Sequence, residues 1–160
     1  YEFKILDAVI GVNQGQKTIQ IPKILAHFGQ DLKGKKIAIW GLAFKPETDD
    51  ILEAPAIDVI HALLDHGATV EAFDPEAMDN IRKRFGERIS FGGHMYAPLQ
   101  DADALVICTE WSIFRSPNFE KVKDLLKQPV IFDGRNLYNT QDMEREGFSY
   151  TSIGRNTVQP

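Results

Sequence analysis

The feature that most limits the fold of this chain is a short apolar run that stops at a glycine, KIAIWG at residues 36–41. A run rich in β-branched and aromatic residues predicts a strand that is covered on both faces, as the strands of parallel sheets are. Gly41 then permits a sharp backbone turn. Ligands of open α/β sheets bind just past the carboxyl ends of such strands, so Lys45 is a candidate for contact with a bound anion. The alternative is an ordinary solvated lysine.

The loop after this strand lacks the glycine fingerprint with which many α/β folds hold a dinucleotide. That fingerprint, G-x-G-x-x-G, serves the turn, the close approach of pyrophosphate and the packing of the helix. Here Gly41 is followed by Leu, Ala, Phe and Lys, so the loop is poorly suited to NAD. Asp74 stands where nicotinamide-binding folds place a ribose-binding carboxylate. Without the fingerprint, an Asp-Pro turn explains this aspartate better.

Strand-like and helix-like patterns alternate along the chain from residue 37 onward. Short apolar runs predict strands at 37–41, 69–73, 89–91, 104–108, 130–132 and 150–153. The clearest helix is 55–66, with Pro55 in its first turn and Gly67 just after its last. Shorter helices are predicted after Pro75, Met95 and Pro117 and from Thr140, a candidate N-cap. Such alternation predicts an α/β fold with a Rossmann-like, doubly wound parallel sheet of five or six strands.

A long amphipathic helix is predicted ahead of the sheet. Apolar residues between Phe3 and Phe28 recur at spacings of three and four, and Pro22 is expected to kink or restart the helix. The chain starts at Tyr1, inside this helical pattern and without a methionine, so we expect a fragment of a larger protein. The apolar face of the helix needs covering, which favours pairing with another chain.

The composition excludes several classes of function. A net charge of −5 and the lack of a basic stripe argue against a nucleic-acid partner. The single cysteine, Cys108, cannot form an intrachain disulfide framework and fits a reducing compartment, so we expect a cytoplasmic protein. No apolar run is long enough to span a bilayer and no signal peptide opens the sequence, so we expect no membrane partner. We assign no metal ligands.

Charged side chains follow several predicted strands at the point where each strand ends. Lys45 follows the first strand, and the run Thr-Glu-Trp at 109–111 follows the fourth. Arg135 follows the fifth, and its planar guanidinium suits a phosphate group. Because the carboxyl ends of parallel strands share one edge, Lys45 and Arg135 are predicted to form a phosphate clamp. Asp133 also lies at this predicted edge, but because it precedes Gly134 it could equally serve only to form a turn.

Several spaced motifs lie along the chain: GLAFKPETDD at 41–50 with EAP at 53–55, ADALV at 102–106 with TEW at 109–111 and FR at 114–115, FDGRN at 132–136, and GF at 147–148 with SIGR at 152–155. Together they resemble those of the UDP-glucose/GDP-mannose dehydrogenase family, and of its UDP-glucose 6-dehydrogenases in particular. The opening segment, with VN at 12–13 and QK at 16–17, resembles the end of the long helix that joins the two Rossmann-like halves of these enzymes. The resemblance covers nearly the whole chain.

The resemblance implies a division of the chain into two parts. Residues 1–30 would be the end of the linking and dimerisation helix, and 31–160 would be the carboxyl-terminal, UDP-sugar-binding domain. The UDP-glucose 6-dehydrogenases of this family oxidise the C6 alcohol of UDP-glucose to the carboxylate of UDP-glucuronate and reduce two NAD. NAD would be bound mainly by an amino-terminal domain that also carries the catalytic cysteine, so this chain alone would be inactive. Cys108 lies within a predicted buried strand and is expected to be inert.

The resemblance also implies three substrate-binding residues. Phe44 would lie beside the uracil ring, and Lys45 and Arg135 would contact the UDP-sugar. For Phe44 the alternative is packing in the core. Leu52 stands where the family usually has an arginine that reaches toward NAD. We therefore assign no cofactor-binding and no catalytic residue in this chain.

Two other functions remain open on the sequence. One is the same domain of a UDP-N-acetylmannosamine or GDP-mannose dehydrogenase, since those relatives share the loop at 41–45, although TEW and FDGRN favour UDP-glucose. The other is a non-catalytic dimerisation or regulatory module that acts through the first helix. In either case a homodimer formed through this helix is the expected assembly.

Overall fold

Six parallel strands form one sheet in the order β3-β2-β1-β4-β5-β6 in a computed structural model that describes residues 4–160. The strands are Lys36–Trp40 (β1), Thr69–Phe73 (β2), Ser90–Phe91 (β3), Ala104–Ile107 (β4), Val130–Asp133 (β5) and Ser149–Thr151 (β6). All five neighbouring pairs are parallel, with Ile37 opposite both Val70 and Ala104. The order reverses between β1 and β4, which is the switch point of a doubly wound sheet. The fold predicted from the sequence is confirmed.

Six α-helices accompany the sheet. They are Lys4–Thr18 (α1), Gln20–Phe28 (α2), Pro55–Asp65 (α3), Met78–Phe85 (α4), Phe119–Leu125 (α5) and Thr140–Arg145 (α6). Asn118 and Asn139 cap α5 and α6 through their side chains, so the cap of α6 is Asn139 and not the predicted Thr140. The helix predicted after Met95 is only a 3₁₀ turn at Ala97–Leu99.

The predicted first helix is interrupted at Ile19, three residues before the proline that was expected to break it. Pro22 has no N–H to donate to the carbonyl of Thr18, so the regular hydrogen-bond ladder stops there and α2 begins a new helix. Ile24 of α2 is fully buried, whereas no residue of α1 is buried. The proposed domain boundary near residue 30 stays a prediction.

The core lies around the two central strands. Every residue of β4 is fully buried, as is β1 from Ile37 to Trp40. Trp40 stacks on Phe114 with ring centroids 4.9 Å apart and an angle of 14° between the rings, and its indole N–H donates to the carbonyl of Met95 at 2.6 Å. Both faces of the central strands are therefore covered, as the run KIAIWG predicts. Within residues 4–160, no helix is long and apolar enough to cross a membrane.

Candidate functional site

A groove of about 710 Å³ opens where β1, β4 and β5 end, and we call it the strand-end groove. It lies at the edge where ligands of open α/β sheets bind. Side chains of α1, of the loops after β1, β4 and β5 and of the segment after β6 line it. These are Asn13, Gln16, Lys17, Ile19, Phe44, Glu53, Pro55, Glu110, Gly134, Arg135, Asn136 and Ile153.

The loop after β1 is held against the end of β4 by a close backbone approach. Gly41 has φ of +90°, and a Cβ atom at this position would lie 2.5 Å from the backbone nitrogen of Thr109. Only glycine fits such a contact without strain. The buried hydroxyl of Thr109 donates to the carbonyl of Ala43 at 2.7 Å. The predicted turn at Gly41 is therefore present, and Thr109 fixes the loop that follows it.

Asp74 anchors the same loop from the β2 side and is fully buried. Its two oxygens accept five hydrogen bonds of 2.7–3.0 Å, from the backbone N–H groups of Leu42, Ala43, Glu76 and Ala77 and from the indole N–H of Trp111. A carboxylate used in this way is not available to a ribose hydroxyl. The turn interpretation of Asp74 is confirmed. With no glycine fingerprint beside it, this edge does not fit NAD in the manner of a nicotinamide-binding fold, and we assign it no cofactor contact.

Phe44 projects from the anchored loop and is 45 % exposed, so it is not a core residue. Its backbone N–H donates to the carbonyl of Asp50 at 2.8 Å, which closes the segment between them. The ring of Phe44 is part of the lining of the strand-end groove. Lys45, the next residue along the chain, is also exposed. It is not one of the described residues that line the groove.

Arg135 lies in the same groove, and both its backbone and its guanidinium group are hydrogen-bonded. Its backbone N–H donates to Oδ1 of the buried Asp133 at 2.8 Å. Its guanidinium donates twice to the carboxylate of Glu110, from Nε to Oε2 at 2.5 Å and from Nη2 to Oε1 at 2.9 Å. The structure thus brings Arg135 and Phe44 into one groove. The clamp of Lys45 and Arg135 stays a prediction.

The ion pair perturbs the protonation of both partners. Burial alone would raise the pKa of Glu110, but the hydrogen bonds and charge of Arg135 outweigh it and hold that pKa below its ordinary value. The hydrogen bond to Glu110 raises the pKa of Arg135, against the smaller opposing effect of burial. Both groups are therefore charged at neutral pH.

The remaining polar residues of the FDGRN motif support the Arg135 loop. Asp133 also accepts from the backbone of Leu137 at 2.7 Å and from the hydroxyl of Tyr150 at 2.6 Å. Asn136, with φ of +55°, exchanges two hydrogen bonds with the backbone of Ile153 at 2.8 and 3.1 Å. Turn chemistry, which the sequence left as an alternative, explains Asp133, and Asn136 ties the loop to the segment just after β6.

Sequence reasoning missed the partner of Arg135 and a second ion pair at the groove. Lys17 of α1 pairs with Glu53, and both residues line the strand-end groove and also a larger cavity of about 870 Å³. Leu52 is exposed and lines that second cavity. A signal for Glu110 did exist, because it is the one charged residue in the Thr-Glu-Trp run at a strand end.

The structure assigns neither a nucleophile nor a metal site to the described residues. Burial raises the pKa of the Cys108 thiol to about 12, so this cysteine is unreactive, as predicted. Within residues 4–160, no three side chains of His, Cys, Asp or Glu come together as metal ligands would.

Known proteins are similar to this chain in sequence and in fold. The chain is 43 % identical to the UDP-glucose 6-dehydrogenase TuaD of Bacillus subtilis, over 99 % of this chain and 34 % of that protein. It is 42 % identical to the UDP-glucose 6-dehydrogenase of Rhizobium meliloti, over 95 % of this chain and 35 % of that protein. The chain thus spans about a third of the length of these curated relatives.

A solved UDP-glucose dehydrogenase of Pyrobaculum islandicum superposes on 94 % of this chain and 32 % of its own, with a TM-score of 0.78 and 27 % identity. A UDP-D-ManNAc dehydrogenase of Pyrococcus horikoshii shares the fold at a TM-score of 0.73 and 21 % identity, over 97 % of this chain and 34 % of its own. Residues 38–140 match the UDP binding domain of the UDP-glucose/GDP-mannose dehydrogenase family. The chain, which carries this match over more than half of its length, belongs to that family.

Proposed function

We propose that this chain binds the UDP part of a nucleotide sugar in the strand-end groove, as the substrate-binding domain of a UDP-glucose 6-dehydrogenase. The observation that carries the proposal is the position of Phe44 and Arg135 in one groove at the carboxyl edge of the sheet. An exposed aromatic ring suits the base, and a fixed guanidinium offers directed N–H donors to the polar sugar end of the ligand.

Each proposed contact follows from the chemistry of its side chain. The exposed ring of Phe44 offers a face to the uracil, and base–aromatic stacking is worth about 1–3 kcal/mol. Lys45 carries a mobile ammonium group on a flexible stem, which suits the charge of a diphosphate. Arg135 offers directed N–H donors to the UDP-sugar. Asp74 and Thr109 keep the loop of Phe44 and Lys45 in place.

For the parent protein we propose the oxidation of UDP-glucose to UDP-glucuronate. NAD supplies the hydride acceptor for this chemistry when it is bound, and we assign its binding to another part of the parent protein. The residues of this chain would bind and orient the nucleotide part of the substrate. No described residue is placed to perform the oxidation, so we expect the chain by itself to be inactive.

We further propose that two copies of the chain pair through α1. The apolar side chains of this helix are exposed, among them Ile5 at 84 % and Val9 at 49 %. Apolar residues clustered on one exposed helix mark a surface that another protein covers. A homodimer is compatible with the enzyme proposal and with a non-catalytic module, so ligand binding is what separates these two functions.

Calorimetric titration with UDP tests the proposed site. We expect the 160-residue chain to bind UDP and Lys45→Ala to bind it roughly tenfold more weakly, which is about 1.4 kcal/mol, because one cationic contact to the diphosphate is lost. Lys83→Ala is the matched control, since Lys83 is exposed on α4. Equal affinities for wild type and Lys45→Ala would remove Lys45 from the site. A chain that binds neither UDP nor UDP-glucose would contradict the proposal.

The sugar preference is tested on the complete parent protein. UDP-glucose, UDP-N-acetylmannosamine and GDP-mannose would each be supplied with NAD, and the rate of NADH formation would be compared. The relatives named above at 42–43 % identity are UDP-glucose 6-dehydrogenases, which favours the first substrate. Faster turnover of either other sugar would replace UDP-glucose in the proposal and leave the nucleotide-binding groove unchanged.

A further inference from the structure

The guanidinium of Arg135 has two usable edges, and one of them is occupied. Glu110 accepts from Nε and Nη2, at 2.5 and 2.9 Å. An arginine side chain has five N–H donors, so three remain, both on Nη1 and one on Nη2. One N–H of Nη1 and the remaining N–H of Nη2 form the terminal edge of the guanidinium, and the second N–H of Nη1 lies on the side of Cδ, opposite the edge that Glu110 occupies. The pair leaves Arg135 as an oriented hydrogen-bond donor.

The same contact cancels the charge that Arg135 would otherwise offer. Glu110 and Arg135 both line the strand-end groove and are both partly exposed to it. A diphosphate at Arg135, with one negative charge on each phosphate, would therefore also meet the carboxylate of Glu110 a few ångströms away, where like charges repel even near the surface. A hydroxyl group meets no such conflict, because it both donates and accepts hydrogen bonds.

Lys45 differs from Arg135 in this respect. It forms no ion pair with any other residue in the described part of the chain. Its charge is thus not cancelled by a neighbouring carboxylate in the way that the charge of Arg135 is. The two cations predicted as one clamp are electrostatically unequal.

We infer that Glu110 determines which part of the ligand Arg135 contacts: the Glu110–Arg135 pair is a hydroxyl-binding unit for the neutral sugar, and the diphosphate charge is left to Lys45. The inference rests on the proposed function, because it assigns the parts of one nucleotide-sugar ligand to residues of that site. Glu110 is then a specificity-determining residue, since it turns a general anion site into one that distinguishes a sugar from a phosphate.

The decisive variant is Glu110→Gln, which keeps the shape of the side chain and removes its charge. Glu87→Gln is the matched control, because it changes the net charge equally at an exposed position in the turn Gly86–Arg88. Titration calorimetry would compare inorganic pyrophosphate, UDP and UDP-glucose for wild type and both variants. Thermal unfolding would verify that Glu110→Gln is folded.

We expect Glu110→Gln to bind pyrophosphate and UDP roughly tenfold more tightly than wild type, because the released guanidinium favours a doubly charged acceptor. We expect the wild type to bind UDP-glucose more tightly than UDP, so that the ratio of the two affinities is above one. In Glu110→Gln this ratio should fall toward one. Glu87→Gln should resemble the wild type in both measurements. Unchanged or weaker pyrophosphate binding by Glu110→Gln, or a wild-type ratio of one, would overturn the inference.

The NMR signal of the Arg135 Nε–H group separates failure of this inference from failure of the proposed function. In the wild type the signal should stay in place when pyrophosphate is added, since Glu110 keeps that hydrogen bond, and in Glu110→Gln it should move. A wild-type signal that moves equally would show that phosphate displaces Glu110, and would overturn the inference. Loss of the proposed function would instead appear as no UDP binding by any variant.

Discussion

Asp74 directly follows β2 and Asp133 ends β5, and both are fully buried with their oxygens occupied by donors of the chain itself. Glu110 lies at the same edge, but its partner is the exposed side chain of another groove residue. The difference separates carboxylates that hold loops from a carboxylate that lines the strand-end groove. The role of each carboxylate depends on which hydrogen-bond donors reach its oxygens, and these donors cannot be identified from the sequence.

Asp74→Asn tests the anchoring role. The substituted amide group would present N–H donors to backbone N–H groups, so several of the five hydrogen bonds would be lost inside the core. We expect the free energy of unfolding to fall by about 2–4 kcal/mol, measured by urea denaturation. The control Asp124→Asn, at an exposed position of α5, should change it by less than about 0.5 kcal/mol. A similar small change for both variants would contradict the anchoring role.

The strands and the shared edge could be predicted because they follow from periodicity and from chain direction. Short apolar runs marked β1, β4 and β5, the strand predicted at 69–73 coincides with β2, and strand–helix alternation implied parallel pairing. The segment after Met95 misled the prediction. The carbonyl of Met95 accepts the indole N–H of Trp40, so tertiary contact and the proline at position 98 leave only one turn of 3₁₀ helix.

The ion pair of Glu110 and Arg135 could not be predicted in the same way. The two residues are 25 positions apart and follow different strands, so their contact depends on the shapes of two loops. Their placement at one edge was predictable, but their bidentate pairing was not. Phe44, Lys45 and Arg135 remain predicted contacts of the substrate.

Gly41→Ala tests the junction between the loop after β1 and the end of β4. The added methyl group would lie 2.5 Å from the backbone nitrogen of Thr109, at a backbone φ of +90° that disfavours alanine. We expect about 3 kcal/mol or more of lost stability, seen as a large drop in the thermal midpoint. Gly93→Ala is the control, because a methyl group added there would meet no atom within 4 Å and the φ of Gly93 is not positive. Equal midpoints for the two variants would show that the loop can move aside.

At the scale of the whole molecule, α1 stands apart from the rest of the fold. None of its residues is buried, although it contacts α3, whereas α2 places Ile24 in the core. The chain spans about a third of the length of its curated relatives, and the apolar residues of α1 form the exposed surface through which we propose that two copies pair. The periodicity of the sequence predicted this helix. It did not predict that the rest of the chain would leave every residue of α1 unburied.

Val9→Glu tests the proposed pairing of α1. A charge placed among the apolar residues of the helix would oppose its burial against another copy, so we expect a dimeric wild type and a monomeric variant in sedimentation equilibrium. Gln30→Glu adds the same charge at an exposed position outside α1 and should leave the dimer intact. A monomeric wild-type chain would contradict the proposed homodimer.

The ion pair of Lys17 and Glu53 has a mechanical consequence. Lys17 belongs to α1 and Glu53 to the segment just before α3, and the two side chains together form the partition between the strand-end groove and the larger cavity beside it. We therefore expect a shift of α1 to change the shapes of both compartments together, because this one bridge belongs to the walls of both.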